Sequence, residues 1–125
     1  MSLRSINRDF EPLRVEAPST EDVLAAVKEL DGKEHTLVTL EVNDNHHMGV
    51  GGGAGIYVVY LTNDNLRFKN LVMPGKTGPK LMVTCGGQEG DFDPKQCVAL
   101  RAALKAAETF ALTGQPDPEL DWEDA

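Results

Sequence analysis

Cysteine is scarce in this chain. Cys85 and Cys97 are the only two, and no Cys-x-x-Cys or His-x-x-x-His pair accompanies them. That spacing offers no zinc framework, and two thiols at the edges of regular elements read as small, half-buried side chains. Long apolar runs are also missing. The longest, Ile56–Leu61, is far shorter than the roughly 20 residues that cross a bilayer as a helix. The N-terminal segment mixes Arg4, Arg8, Asp9 and Glu11 with few apolar residues, so no signal peptide is expected and the cytosol is the expected location. Positive charge is in deficit: twelve Lys and Arg against twenty Asp and Glu give a net charge of -8. Such a surface repels nucleic acid and anionic membranes, so neither is an expected partner; a basic protein is compatible with it.

What is present is the composition of a folded domain, 41% hydrophobic and 26% charged over 125 residues, and one domain over 1–125 is expected. Residues 1–18 show no clear period and read as an arm with a short strand at Leu13–Val15. A helix follows, capped by Ser19 or Thr20 and ended by Gly32, with Val23, Val27 and Leu30 on one apolar stripe. Val38, Leu40 and Val42 alternate with polar residues as a half-buried strand, and Ile56–Leu61 reads as a central strand. Asn63-Asp64-Asn65 suits a hairpin turn into a strand carrying Leu66, Phe68 and Val72 inward. Leu81, Val83 and Cys85 make a last strand. Asp93 and Pro94 predict the start of a second, longer helix that Gly114 ends, and residues 115–125 read as an acidic tail anchored by Trp122. The expected fold is α+β: a mainly antiparallel sheet of about five strands, with an N-terminal helix and a long C-terminal helix packed on it.

Few motifs offer chemistry. The run Gly49-Val50-Gly51-Gly52-Gly53-Ala54-Gly55 leads into a strand, so no helix N-terminus is there to hold a phosphate; a flexible or bulged connection is the expectation. Gly75-Lys76-Thr77 lacks the upstream glycine of a phosphate loop. His46 and His47 are neighbours and point to opposite faces of a strand, which prevents joint chelation. No Gly-x-Ser-x-Gly elbow is present. No metal, cofactor or catalytic residue is expected. The remaining signal is acid placed in loops and tail: Asp44, Glu89, Asp91, Asp117, Glu119 and Asp121 are the candidate partner-binding residues, provided the fold gathers them.

The last third of the chain carries a more specific pattern. Cys85-Gly86-Gly87-Gln88-Glu89-Gly90-Asp91-Phe92 follows a strand, a helix ends in Phe110-Ala111-Leu112-Thr113-Gly114, and Gln115-Pro116-Asp117-Pro118-Glu119-Leu120-Asp121-Trp122 closes the run. This resembles the first-numbered immunity-protein family of bacterial polymorphic toxin systems. The resemblance implies an α+β fold without catalytic activity and a cognate protein toxin as partner, often a nucleic-acid deaminase with a basic channel that an acidic surface would plug. Two other classes fit the residues themselves: a small ligand-binding domain or enzyme using the glycine run and His46 or His47, and an acidic secretion chaperone pairing through an exposed apolar helix face.

Overall fold

A computed structural model of the chain describes residues 1–7 and 12–125. Nine strands and two helices follow one another: β1 (Ser2–Asn7), β2 (Pro12–Glu16), α1 (Thr20–Lys28), β3 (His35–Glu41), β4 (His47–Gly53), β5 (Ile56–Thr62), β6 (Phe68–Val72), β7 (Leu81–Cys85), β8 (Gln88–Phe92), α2 (Leu100–Thr113) and β9 (Asp121–Asp124). Seven strands form one antiparallel sheet in the order β2-β1-β3-β4-β5-β6-β9; β7 and β8 form a separate hairpin. The α+β class stands, while the expected five strands become seven in the main sheet plus two.

One face of the sheet is the core. Leu3, Val38, Leu40, Met48, Val50, Val59, Leu61 and Leu71 bury their side chains against Val23 and Val27 of α1 and Ala103, Ala106, Ala107 and Phe110 of α2. The alternation of β3 is read directly in its burial: Thr36, Val38 and Leu40 are buried and the residues between them are not. Small alanines on α2 let that helix settle close to the strands. Its C-terminus is closed by Gly114 in a left-handed conformation (φ 70°), whose N–H donates to the Phe110 carbonyl at 2.7 Å. At α1, the Asp22 N–H donates to Ser19 Oγ at 3.1 Å and the Ser19 N–H to Asp22 Oδ2 at 3.0 Å, a reciprocal cap.

Several expectations give way. The arm is a hairpin: β1 pairs with both β2 and β3, so the strand expected at 13–15 exists and a second one precedes it. The helix expected to be ended by Gly32 stops at Lys28, with Glu29 as its cap. Val42 lies past β3 and is 42% exposed. Most of the glycine run is strand: residues 47–53 are β4, paired along both edges, and only Ala54-Gly55 form the turn into β5. In β6 Val72 is buried as expected and Leu71 is buried beside it, whereas Phe68 is half-buried on the opposite face from Leu71 and Leu66 is exposed. Asp93 and Pro94 start only a 3-10 turn, and α2 begins at Leu100. The cause is Val98, whose N–H donates to Tyr57 O at 2.7 Å while its carbonyl accepts from Tyr57 N at 3.0 Å. That extended bridge to β5 prevents a helix from passing through residue 98. The acidic tail is likewise structured: β9 pairs with β6 as an edge strand, Leu71 opposite Trp122.

Candidate functional site

The second face of the main sheet has no helix on it among the described residues. Its side chains follow from the pairing register. Gly49 stands between Thr39 and Tyr60, Gly51 between Leu37 and Val58, and Thr62 between His47 and Phe68. Glycines at two central positions leave room that other residues fill. A Cβ at Gly51 would overlap Cys85 Sγ and lie 2.9 Å from Cys85 Cβ, so bare backbone is what lets the β7-β8 hairpin sit on the sheet. The hairpin is held there by Thr36, whose Oγ1 accepts from the Gly87 N–H at 2.9 Å. A Cβ at Gly49 would overlap the Tyr60 ring, so that ring lies across the backbone of β4.

Tyr60 is one of three rings gathered here. Its centroid lies 5.7 Å from that of His47 and 5.9 Å from that of Phe68, and His47 and Phe68 are 6.4 Å apart. These are edge and tilted contacts of the favourable kind. Beneath His47 and Phe68 the Thr62 hydroxyl donates to Arg67 O at 2.8 Å and accepts from Asn65 N, tying the cluster to the β5-β6 turn. Burial, with a smaller contribution from Glu41, raises the Tyr60 phenol above its ordinary value. Between Tyr60 and the hairpin lies an open groove of about 140 Å³, lined by Leu37, Gly51, Val58, Tyr60, Cys85 and Phe92 and bordered by Asn70 and Gln96. Burial, reinforced by Cys97, pushes the Cys85 thiol up to about 11, so it carries no thiolate near neutral pH.

The six acids selected from sequence part into an exposed group and an engaged one. Glu89 and Asp91 lie on β8, exposed on the hairpin that covers part of the second face, where a loop was expected. Asp121 is exposed on β9 and Asp44 in the β3-β4 turn. No ion pair engages these four among the described residues, whereas neighbouring acids are matched: Glu41 by Arg4 at 3.7 Å and Glu123 by Lys95 at 2.7 Å. Asp117 and Glu119 stand on the other side, against α2. Asp117 is 5% exposed; it accepts from Thr109 Oγ1 at 2.6 Å and from the Glu119 N–H at 2.8 Å. The Thr109 hydroxyl above all, then the Glu119 amide and Lys105, hold its carboxyl below the usual value against the opposing effect of burial. It works as an internal clasp for the tail, helped by Trp122 Nε1 donating to its carbonyl at 3.1 Å. Glu119 pairs with Lys105.

The histidines also part. His46 bonds the Gly114 carbonyl through Nε2 at 2.6 Å and meets Phe110 edge-on, so it braces the end of α2, while His47 joins the ring cluster. No set of three metal-ligating side chains is gathered among the described residues. Among the described residues no helix is long and apolar enough to cross a membrane. Sequence reading missed Tyr60, Phe68 and His47 as a group; Gly49 opposite a tyrosine was the signal, legible only once the β4-β5 register is known.

The comparison with protein families identifies this chain's family. The model of the family described as immunity protein Imm1 covers residues 12–124, and the chain belongs to that family. A search of curated proteins gave no match.

Proposed function

We propose that this member of the Imm1 family binds the toxin of its own bacterial polymorphic toxin system in the cytosol and neutralises it by occupying its substrate channel. The family match over residues 12–124 carries the first part of that reading: a protein that neutralises a toxin. The charge supports the second. A toxin that acts on nucleic acid, such as a deaminase, needs a basic path to its reactive centre. An acidic protein of net charge -8 is drawn to that path and competes there with the substrate. Of the acids proposed for contact, Glu89, Asp91, Asp121 and Asp44 are the exposed ones that no ion pair engages among the described residues; Asp117 is spent inside the fold and Glu119 is already paired.

The rival readings find little purchase in the geometry. The glycine run is a paired strand with no helix following it. The apolar face of α2 is buried in the protein's own core, leaving no helix face for a chaperone dimer to share. Inhibition by occupancy needs no reacting group, and the proposal assigns none.

The test is co-expression with the protein encoded directly upstream. Growth rescue and a co-purifying stoichiometric complex are the expected result. If that neighbour is toxic and this chain neither rescues nor binds it, the proposal is wrong. A deaminase target is tested separately: the isolated neighbour should convert cytosine or adenine in single-stranded DNA or RNA, and one equivalent of this protein should abolish the conversion.

A further inference from the structure

We infer that the groove between Tyr60 and the β7-β8 hairpin is the socket for one aromatic or branched aliphatic side chain, presented by a Lys- or Arg-bearing loop of the cognate toxin. The inference rests on the toxin-binding reading above and adds where the toxin is gripped and by what chemistry.

Three observations converge. The first is size and lining. At about 140 Å³, walled by Leu37, Val58, Cys85 and Phe92 and floored by Gly51, the groove matches one side chain; an apolar cavity of roughly 150 Å³ accommodates a benzene ring. The second is rigidity. Interfaces draw most of their energy from a few aromatic anchors in water-excluding pockets, and an anchor already fixed loses little freedom on binding. Tyr60 is fixed in advance: its ring rests on the bare backbone of Gly49, with His47 and Phe68 against its flanks. The third is charge. The hairpin that walls the groove carries Glu89 and Asp91 on its exposed side, neither engaged in an ion pair among the described residues, and Asp121 on the edge strand adds a third such acid. An apolar socket beside unmatched acids is complementary to an apolar knob flanked by cations.

The experiment measures binding kinetics between the purified upstream-encoded protein, inactivated by mutation, and four forms of this chain. Tyr60→Ala and Val58→Lys should each weaken affinity by about 30-fold or more, mainly through faster dissociation. The double variant Glu89→Gln/Asp91→Asn should slow association by about three- to ten-fold at low salt and much less at high salt. Arg101→Ala, on the outer side of α2, should bind as the unmodified chain does. Should the socket variants fold poorly, the unmodified protein supplies the answer through Tyr60, whose oxidation by hydroxyl radicals should slow by about ten-fold or more in the complex. If the unmodified chain binds while both socket variants stay within twofold, or Tyr60 is oxidised equally fast free and bound, the socket is overturned and the immunity function survives. If the unmodified chain does not bind, the functional reading falls and the socket with it.

Discussion

The two faces of the main sheet are built on opposite rules. On the helix side, large apolar side chains fill the space: Leu40, Met48, Leu61, Leu71 and Phe110 are each no more than 1% exposed. On the other side, space is made by leaving side chains out at Gly49 and Gly51, and a hairpin and a tyrosine ring move in. The first arrangement places its energy in apolar area removed from water, at about 25 cal/mol per Å². The second fixes the position of half-buried rings. Stability should therefore be concentrated on the helix side and recognition on the glycine side.

Truncation on the helix side is the strongest way to break that division. Phe110→Ala removes a ring with no exposed surface, which also braces His46, and should cost about 3–5 kcal/mol. Urea unfolding checks it; a loss below 1 kcal/mol would mean the core does not rest on α2. Next comes the polar clasp on the same side. Asp117→Asn should cost about 1.5–3 kcal/mol near neutral pH, the range for hydrogen bonds to a charged group. Its sign with pH is definite. The carboxyl is held below 3.8 in the folded protein, so its contribution is full above that value and fades as pH falls through the folded value. Asp31 and Asp64, lowered mainly by backbone N–H donors, share this acid limb. The variant should thus lose part of the acid dependence. Equal acid profiles for the variant and the unmodified protein would overturn the clasp.

On the glycine side the cost comes from crowding. Gly51→Ala places a methyl on Cys85 and should lose about 1–3 kcal/mol, with the hairpin displaced. Gly51→Ala combined with Cys85→Ala should recover part of that loss, which a urea series would show. No recovery would mean that the strand, and not the hairpin seat, requires glycine there.

How much of this was legible in the sequence follows from the same contrast. The helix side writes itself in side-chain periodicity: Val38 and Leu40 alternate, Ile56–Leu61 is continuous, and Ser19 and Gly114 mark helix ends. Strands that lack a periodic signal were lost. β4 is mostly glycine, β8 and β9 are mostly polar or acidic, and β1 turns a single described core side chain, Leu3, inward. These enter the sheet through backbone pairing with a neighbour, information that no local pattern holds. The candidate site suffered most. Four of the six acids are exposed, on β8, on β9 and in the β3-β4 turn, but Asp117 is turned inward by Thr109, and Tyr60 joins Phe68 and His47 only through the register of three strands.

Gly49→Ala probes the division with the smallest expected change in stability. Gly49 has no left-handed backbone to protect, and alanine in a strand regains about 0.5–1 kcal/mol relative to glycine. That gain offsets the packing lost when the new methyl lifts the Tyr60 ring from its seat, so the free energy of unfolding in urea should change by less than about 1 kcal/mol. Affinity for the upstream-encoded protein should nevertheless fall about as far as in Tyr60→Ala, because the anchor is present but no longer held. A variant with both stability and affinity intact would show that the ring needs no seat, and that glycine serves this face only by admitting the hairpin at Gly51. A variant stable yet weak in binding would separate the two uses of glycine: at Gly51 it lets the chain pack, and at Gly49 it aims a side chain at the partner.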